Sequence, residues 1–107
     1  TNFLEQLPFM QKTPPQISPP QATAEEGQLN ISAQVQQADQ VWIYFRKEGA
    51  YRYRKLPMEA TEENGYEARI PLSDAKIQYY LLAENPGLSA VYPSNASWYY
   101  LEFPTDP

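Results

Sequence analysis

The sequence predicts an all-β chain folded as an antiparallel two-sheet sandwich of about seven strands, and three observations carry that expectation. Apolar residues recur at every second position in successive short runs. Turn residues separate those runs at intervals of about ten residues, and no stretch carries the period of an amphipathic helix. Composition agrees: 14% of the 107 residues are aromatic, nine being Tyr, and 11 are Pro, a skew toward strands and turns. One core is expected at this length, large enough to need no covalent staple.

The elements follow in order. Residues 1–13 read as a linker or the tail of a preceding domain, with Phe3, Leu4, Leu7, Phe9 and Met10 as a short apolar cluster, and 14–107 as the sandwich. In Thr13-Pro14-Pro15-Gln16-Ile17-Ser18-Pro19-Pro20 the prolines remove backbone donors and force extended conformation, which predicts a stiff lead into an edge strand. Leu29, Ile31, Ala33 and Val35 then alternate with polar residues, so one face meets a core and the other water. Val41, Ile43 and Phe45 alternate with Trp42, Tyr44 and Arg46, which puts bulk on both faces and predicts a central or covered strand.

Glu48-Gly49 supplies a turn, and Tyr51 to Met58 reads as the return strand of a hairpin, with Pro57 suited to an edge. Asn64-Gly65 is a strong turn signal ahead of Tyr66, Ala68 and Ile70. Pro71 to Lys76 reads as a loop, and Ile77, Tyr79, Leu81 and Ala83 make the next alternating set before the turn at Asn85-Pro86-Gly87. The runs Leu88 to Tyr92 and Trp98 to Phe103 complete the sheets.

Several function classes are set aside by residue type. There is no His and no Cys, which removes the commonest general base, the commonest metal ligand, thiol nucleophiles and disulfides. No enzyme, no cofactor and no metal site is therefore expected, and the pairs Glu25-Glu26 and Glu62-Glu63 lack the spacing of an oxygen-ligand loop. A net charge of -5 argues against nucleic acid, and no apolar run approaches the length of about 20 residues that spans a bilayer. Five of the eight basic residues nevertheless sit between Arg46 and Lys55, interleaved with Tyr51 and Tyr53; a solvated or interfacial edge strand accounts for that run without a ligand.

The segment Ile77-Gln78-Tyr79-Tyr80-Leu81-Leu82-Ala83-Glu84-Asn85 resembles the sixth strand of fibronectin type III-like and related Ig-like domains, in which Tyr, an aliphatic residue and Ala alternate. Val41-Trp42-Ile43-Tyr44-Phe45-Arg46 and Asn64-Gly65-Tyr66-Glu67-Ala68-Arg69-Ile70-Pro71 resemble the third and fifth strands, and the Pro-Pro-Gln-Ile-Ser opening is similar to the way such modules begin in exported bacterial multidomain proteins. The resemblance spans Pro14 to Phe103. It implies an Ig-like sandwich acting as an accessory module of a secreted, periplasmic or cell-surface bacterial protein. It also implies a tyrosine corner at Tyr79, the ring buried and the hydroxyl bonded to nearby backbone. Trp42 departs from the family, being out of phase with the core residues of its own strand.

That phase yields the candidate site. With Val41, Ile43 and Phe45 facing inward, Trp42 and Tyr44 face outward, as do Tyr80 and Leu82 on the sixth strand, and the two strands are neighbours in this topology. The four side chains are expected to form one patch that receives a neighbouring domain or another protein; the alternative is a carbohydrate-binding face on which sugar rings stack.

Overall fold

The computed structural model describes residues 13–94 and 100–104, which form ten strands and no helix. These are β1 (Gln16–Ile17), β2 (Gln21–Glu25), β3 (Gln28–Gln36), β4 (Gln40–Lys47), β5 (Arg54–Pro57), β6 (Glu59–Ala60), β7 (Gly65–Pro71), β8 (Ile77–Asn85), β9 (Leu88–Tyr92) and β10 (Leu101–Phe103). They pair antiparallel into two sheets. In the first, β3 and β7 are central, β6 flanks β7, and β1 and β2 share the other side of β3. In the second, β4 and β8 are central, β5 flanks β4, and β9 and β10 share the outer side of β8.

The alternating residues of the sequence make the core between the sheets. Leu29, Ile31, Ala33 and Val35 of β3, Val41, Ile43 and Phe45 of β4, Ala68 and Ile70 of β7, and Ile77, Tyr79, Leu81 and Ala83 of β8 are all buried. Each Leu, Ile or Val so enclosed contributes about 1.5–3 kcal/mol of transfer free energy. The register holds inward residues opposite inward residues, Ile43 against Leu81 and Leu29 against Ile70, so a one-residue slip would turn both central pairs inside out.

Ten strands are seen where about seven were expected because three strand lines are broken. Pro19 and Pro20 divide β1 from β2, since neither can donate to β3. The return strand begins at Arg54 rather than Tyr51, which is 98% exposed, and it ends at Pro57. There the chain crosses between sheets: β5 pairs with β4, Met58 plunges into the core with its N–H donating to the Val41 carbonyl at 2.8 Å, and β6 already pairs with β7. β9 and β10 are likewise separate pieces along β8. The Phe3 to Met10 cluster and Trp98 lie outside the described residues.

The turn before β7 also differs in detail. The left-handed residues are Glu63 (φ 53°) and Asn64 (φ 65°), and the Gly65 N–H donates to the Glu62 carbonyl at 3.0 Å, so the two central positions of the turn lie one residue earlier than the Asn-Gly pair suggests. Gly65 serves by lacking a side chain. A Cβ there would collide with the Thr61 hydroxyl and lie 3.0 Å from the Glu62 carbonyl oxygen.

Candidate functional site

The outer face of the second sheet is laid out in rows fixed by strand register. Pro57, Trp42, Leu82 and Val91 stand opposite one another on β5, β4, β8 and β9. The next row is Lys55, Tyr44 and Tyr80, and the third is Arg46, Gln78 and Glu102 on β4, β8 and β10. The four residues singled out from sequence are thus brought together as two directly opposed pairs, Trp42 with Leu82 and Tyr44 with Tyr80, and all four are half-buried. Beside Tyr80 the pairing of β8 is interrupted: β9 reaches to Leu81 and β10 to Tyr79.

Ring geometry makes the rows a single surface. Tyr44 and Tyr80 stack at 4.8 Å between centroids with 4° between planes, and Tyr53 meets Tyr80 edge-on at 5.0 Å and 75°. Such pairs contribute about 0.5–1.5 kcal/mol beyond their buried area. Lys55 Nζ lies 4.0 Å from the Trp42 ring centroid, and the Trp42 Nε1–H donates to Glu84 Oε1 at 2.7 Å. The Arg46 guanidinium sits 4.3 Å from the Tyr53 ring and 5.6 Å from that of Tyr100. Two cations from the basic run are therefore spent on aromatic rings.

A polar chain closes one end of the surface. Arg46 Nε donates to Gln78 Oε1 at 2.8 Å, and Gln78 Nε2 donates to Glu102 Oε2 at 3.3 Å, so an amide only 5% exposed joins a guanidinium to a carboxylate across three strands. Burial pushes the Tyr80 phenol pKa above its usual value, with the neighbouring Tyr44 and Tyr53 adding to the rise and Arg46 opposing it. Burial does the same at Tyr53, against the pull of Arg46.

The two outer faces are unlike. On the first sheet Gln28, Asn30, Ser32 and Gln34 of β3 lie opposite Pro71, Arg69, Glu67 and Gly65 of β7, a mostly polar surface without an aromatic ring. The aromatic side chains belong to the other face alone among these rows.

Tyr79 is 4% exposed, and burial followed by the proximity of Tyr92 raises its pKa. Its hydroxyl meets no hydrogen-bond acceptor among the described residues, whereas the Tyr66 hydroxyl donates to the Ala38 carbonyl at 3.3 Å. Among the described residues no three carboxylates come together as a metal-binding group, and no helix is long and apolar enough to cross a membrane.

Sequence reasoning singled out Arg46, Tyr53 and Lys55 only as parts of a basic edge run and did not place them on this face, and it missed Val91, Tyr100 and the Arg46–Gln78–Glu102 chain. Lys55 and Val91 were within reach, because each falls on the outward phase of its strand once the register is known. Tyr53 and Tyr100 lie outside strands, where period carries no information. No protein-family model matches the chain, and no curated protein matches it significantly.

Proposed function

We propose that this chain is a non-catalytic interaction module, an Ig-like, fibronectin type III-like sandwich that docks through the outer face of β4 and β8 against a neighbouring domain or another protein. The carrying observation is the direct opposition of Trp42 with Leu82 and of Tyr44 with Tyr80 on one outer face, while the rows of β3 and β7 on the other outer face are mostly polar. Contiguous apolar side chains rimmed by polar ones mark interaction surfaces on soluble domains. Here the rim is Glu84, Lys55, Arg46 and Glu102.

Protein is favoured over sugar by what occupies the rings. A sugar platform needs open ring faces, but Lys55 lies over Trp42, and Tyr44 and Tyr80 face each other. Aliphatic Leu82 and Val91 complete a mixed surface of the kind that protein partners bury. The membership in an exported bacterial protein rests on the resemblance of the strand motifs.

The test is sedimentation of the chain, alone over a concentration series and joined to the domain that adjoins it in its parent protein, with a glycan array in parallel. Trp42→Ala and Tyr80→Ala should each weaken association by about 1–2 kcal/mol while leaving the fold intact. Glycan binding abolished by Trp42→Ala, with association unchanged, would replace this reading with the carbohydrate-binding one.

A further inference from the structure

A second surface lies at the end of the sandwich where β4 and β5 are joined. A cleft of about 360 Å³ opens there between the sheets, its apolar lining made of the exposed Ala50 and Pro71 beside the buried Phe45, Ile70 and Ile77, with Lys47, Arg52 and Arg54 around it. No acidic residue lines it among the described residues. Two of the rim cations stand on the phase of their strands that elsewhere faces the core: Arg54 is opposite Phe45, and Lys47 is opposite Ile77. Among the described residues the side chains of Lys47, Arg52 and Arg54 make no ion pair, in a chain with 13 acidic residues against eight basic. Arg46, by contrast, is engaged with Gln78 and Tyr53 on the aromatic face.

Three unpaired cations around an apolar lining fit a ligand that is both anionic and apolar. The cleft is sized for a small group, at the lower end of ligand pockets. The cations are spread over the end of β4, the turn and the start of β5, which suits spaced carboxylates better than one compact anion. Beside the cleft, β5 is the terminal strand of its sheet among the described residues, and all four of its residues are exposed. An extended peptide can add to such an edge, its alternate side chains pointing into the space beside it.

We propose that this cleft binds an extended acidic segment of a partner protein, one apolar side chain resting against the exposed Ala50 and Pro71 and flanking carboxylates meeting Lys47, Arg52 and Arg54. Arg46 lines the cleft as well as the aromatic face, but Lys47, Arg52 and Arg54, the cations offered to the ligand, make no contact with the rings of that face among the described residues. A fluorescein-labelled peptide of alternating glutamate and leucine, titrated with the whole chain and read by anisotropy, tests it. The peptide should bind, and the double variant Arg52→Glu/Arg54→Glu should weaken binding about tenfold, as should raising salt from about 50 to about 500 mM. Trp42→Ala should leave affinity within about twofold, because it removes nothing from this cleft. If the charge reversal disturbs the fold by circular dichroism, Arg52→Gln/Arg54→Gln gives the same reading with a smaller loss. Equal binding of an alternating glutamine and leucine peptide, indifference to the arginine substitutions, or no binding at millimolar peptide would overturn the proposal. So would signal traced to self-association of the chain that Glu62→Lys/Glu63→Lys abolishes, since that would make a second copy the occupant.

Discussion

Tyr44 and Tyr80, directly opposed on β4 and β8, lie face to face with 4.8 Å between ring centroids and 4° between their planes. Cross-strand pairing at the centre of the sheet fixes this stack, so the two residues should be energetically coupled. A double-mutant cycle with Tyr44→Ala and Tyr80→Ala, followed by urea unfolding, is expected to give a coupling of about 0.5–1.5 kcal/mol. Additive single effects would mean that the stack contributes nothing beyond area.

Neighbouring residues on β8 should behave oppositely. Leu81 is fully buried beside Ile43 on the inner face of its sheet, whereas Leu82 is half-buried on the outer face. Leu81→Ala is expected to cost about 2–5 kcal/mol and Leu82→Ala about 1 kcal/mol or less. Comparing their denaturation midpoints reads the phase of the strand directly.

The buried phenol of Tyr79 predicts an alkaline loss of stability. Its folded-state pKa lies above the ordinary tyrosine value because burial disfavours the charged form. Between the unfolded and folded values the native state holds the proton and the unfolded state does not. The contribution is therefore complete below a pH of about 10 and declines as pH rises further. Thermal midpoints measured from pH 9 to pH 11 should fall, and Tyr79→Phe should flatten that fall.

The turn before β7 makes a paired prediction. Gly65→Ala should destabilise by about 1–3 kcal/mol, because the added methyl meets the Thr61 hydroxyl and the Glu62 carbonyl. Glu63→Gly should be neutral or stabilise by up to about 1 kcal/mol, since it relieves a left-handed backbone at φ 53°. Thermal unfolding of the two variants separates the steric role of one position from the conformational role of the other.

How far the sequence could be read depended on where each residue sat. Strand period located the inward residues of β3, β4, β7 and β8, because a strand half in water must alternate, and it found Trp42, Tyr44, Tyr80 and Leu82 as the remainder of that alternation. The same signal is blind to residues that reach the face from outside the strands, so it did not place Tyr53 and Tyr100 there. It also gave no warning of the crossing at Met58. Pro57 marked an edge, but a change of sheet leaves no period of its own, only one buried residue between two short polar pieces. The Asn64-Gly65 pair announced a turn and misplaced its centre by one residue, because glycine is as useful for absent bulk as for left-handed freedom.

That crossing at Met58 has a consequence for cooperativity. β5 belongs to the sheet that carries the aromatic face, β6 to the opposite sheet, and a single residue joins them with its side chain in the common core. Neither sheet can release this edge without pulling Met58 from the interior and freeing the Val41 carbonyl. The sandwich should therefore melt in one transition seen alike by tyrosine absorbance and by amide exchange in β7, and a partner that tightens the β4–β5 side should slow exchange across the core in the sheet it never touches.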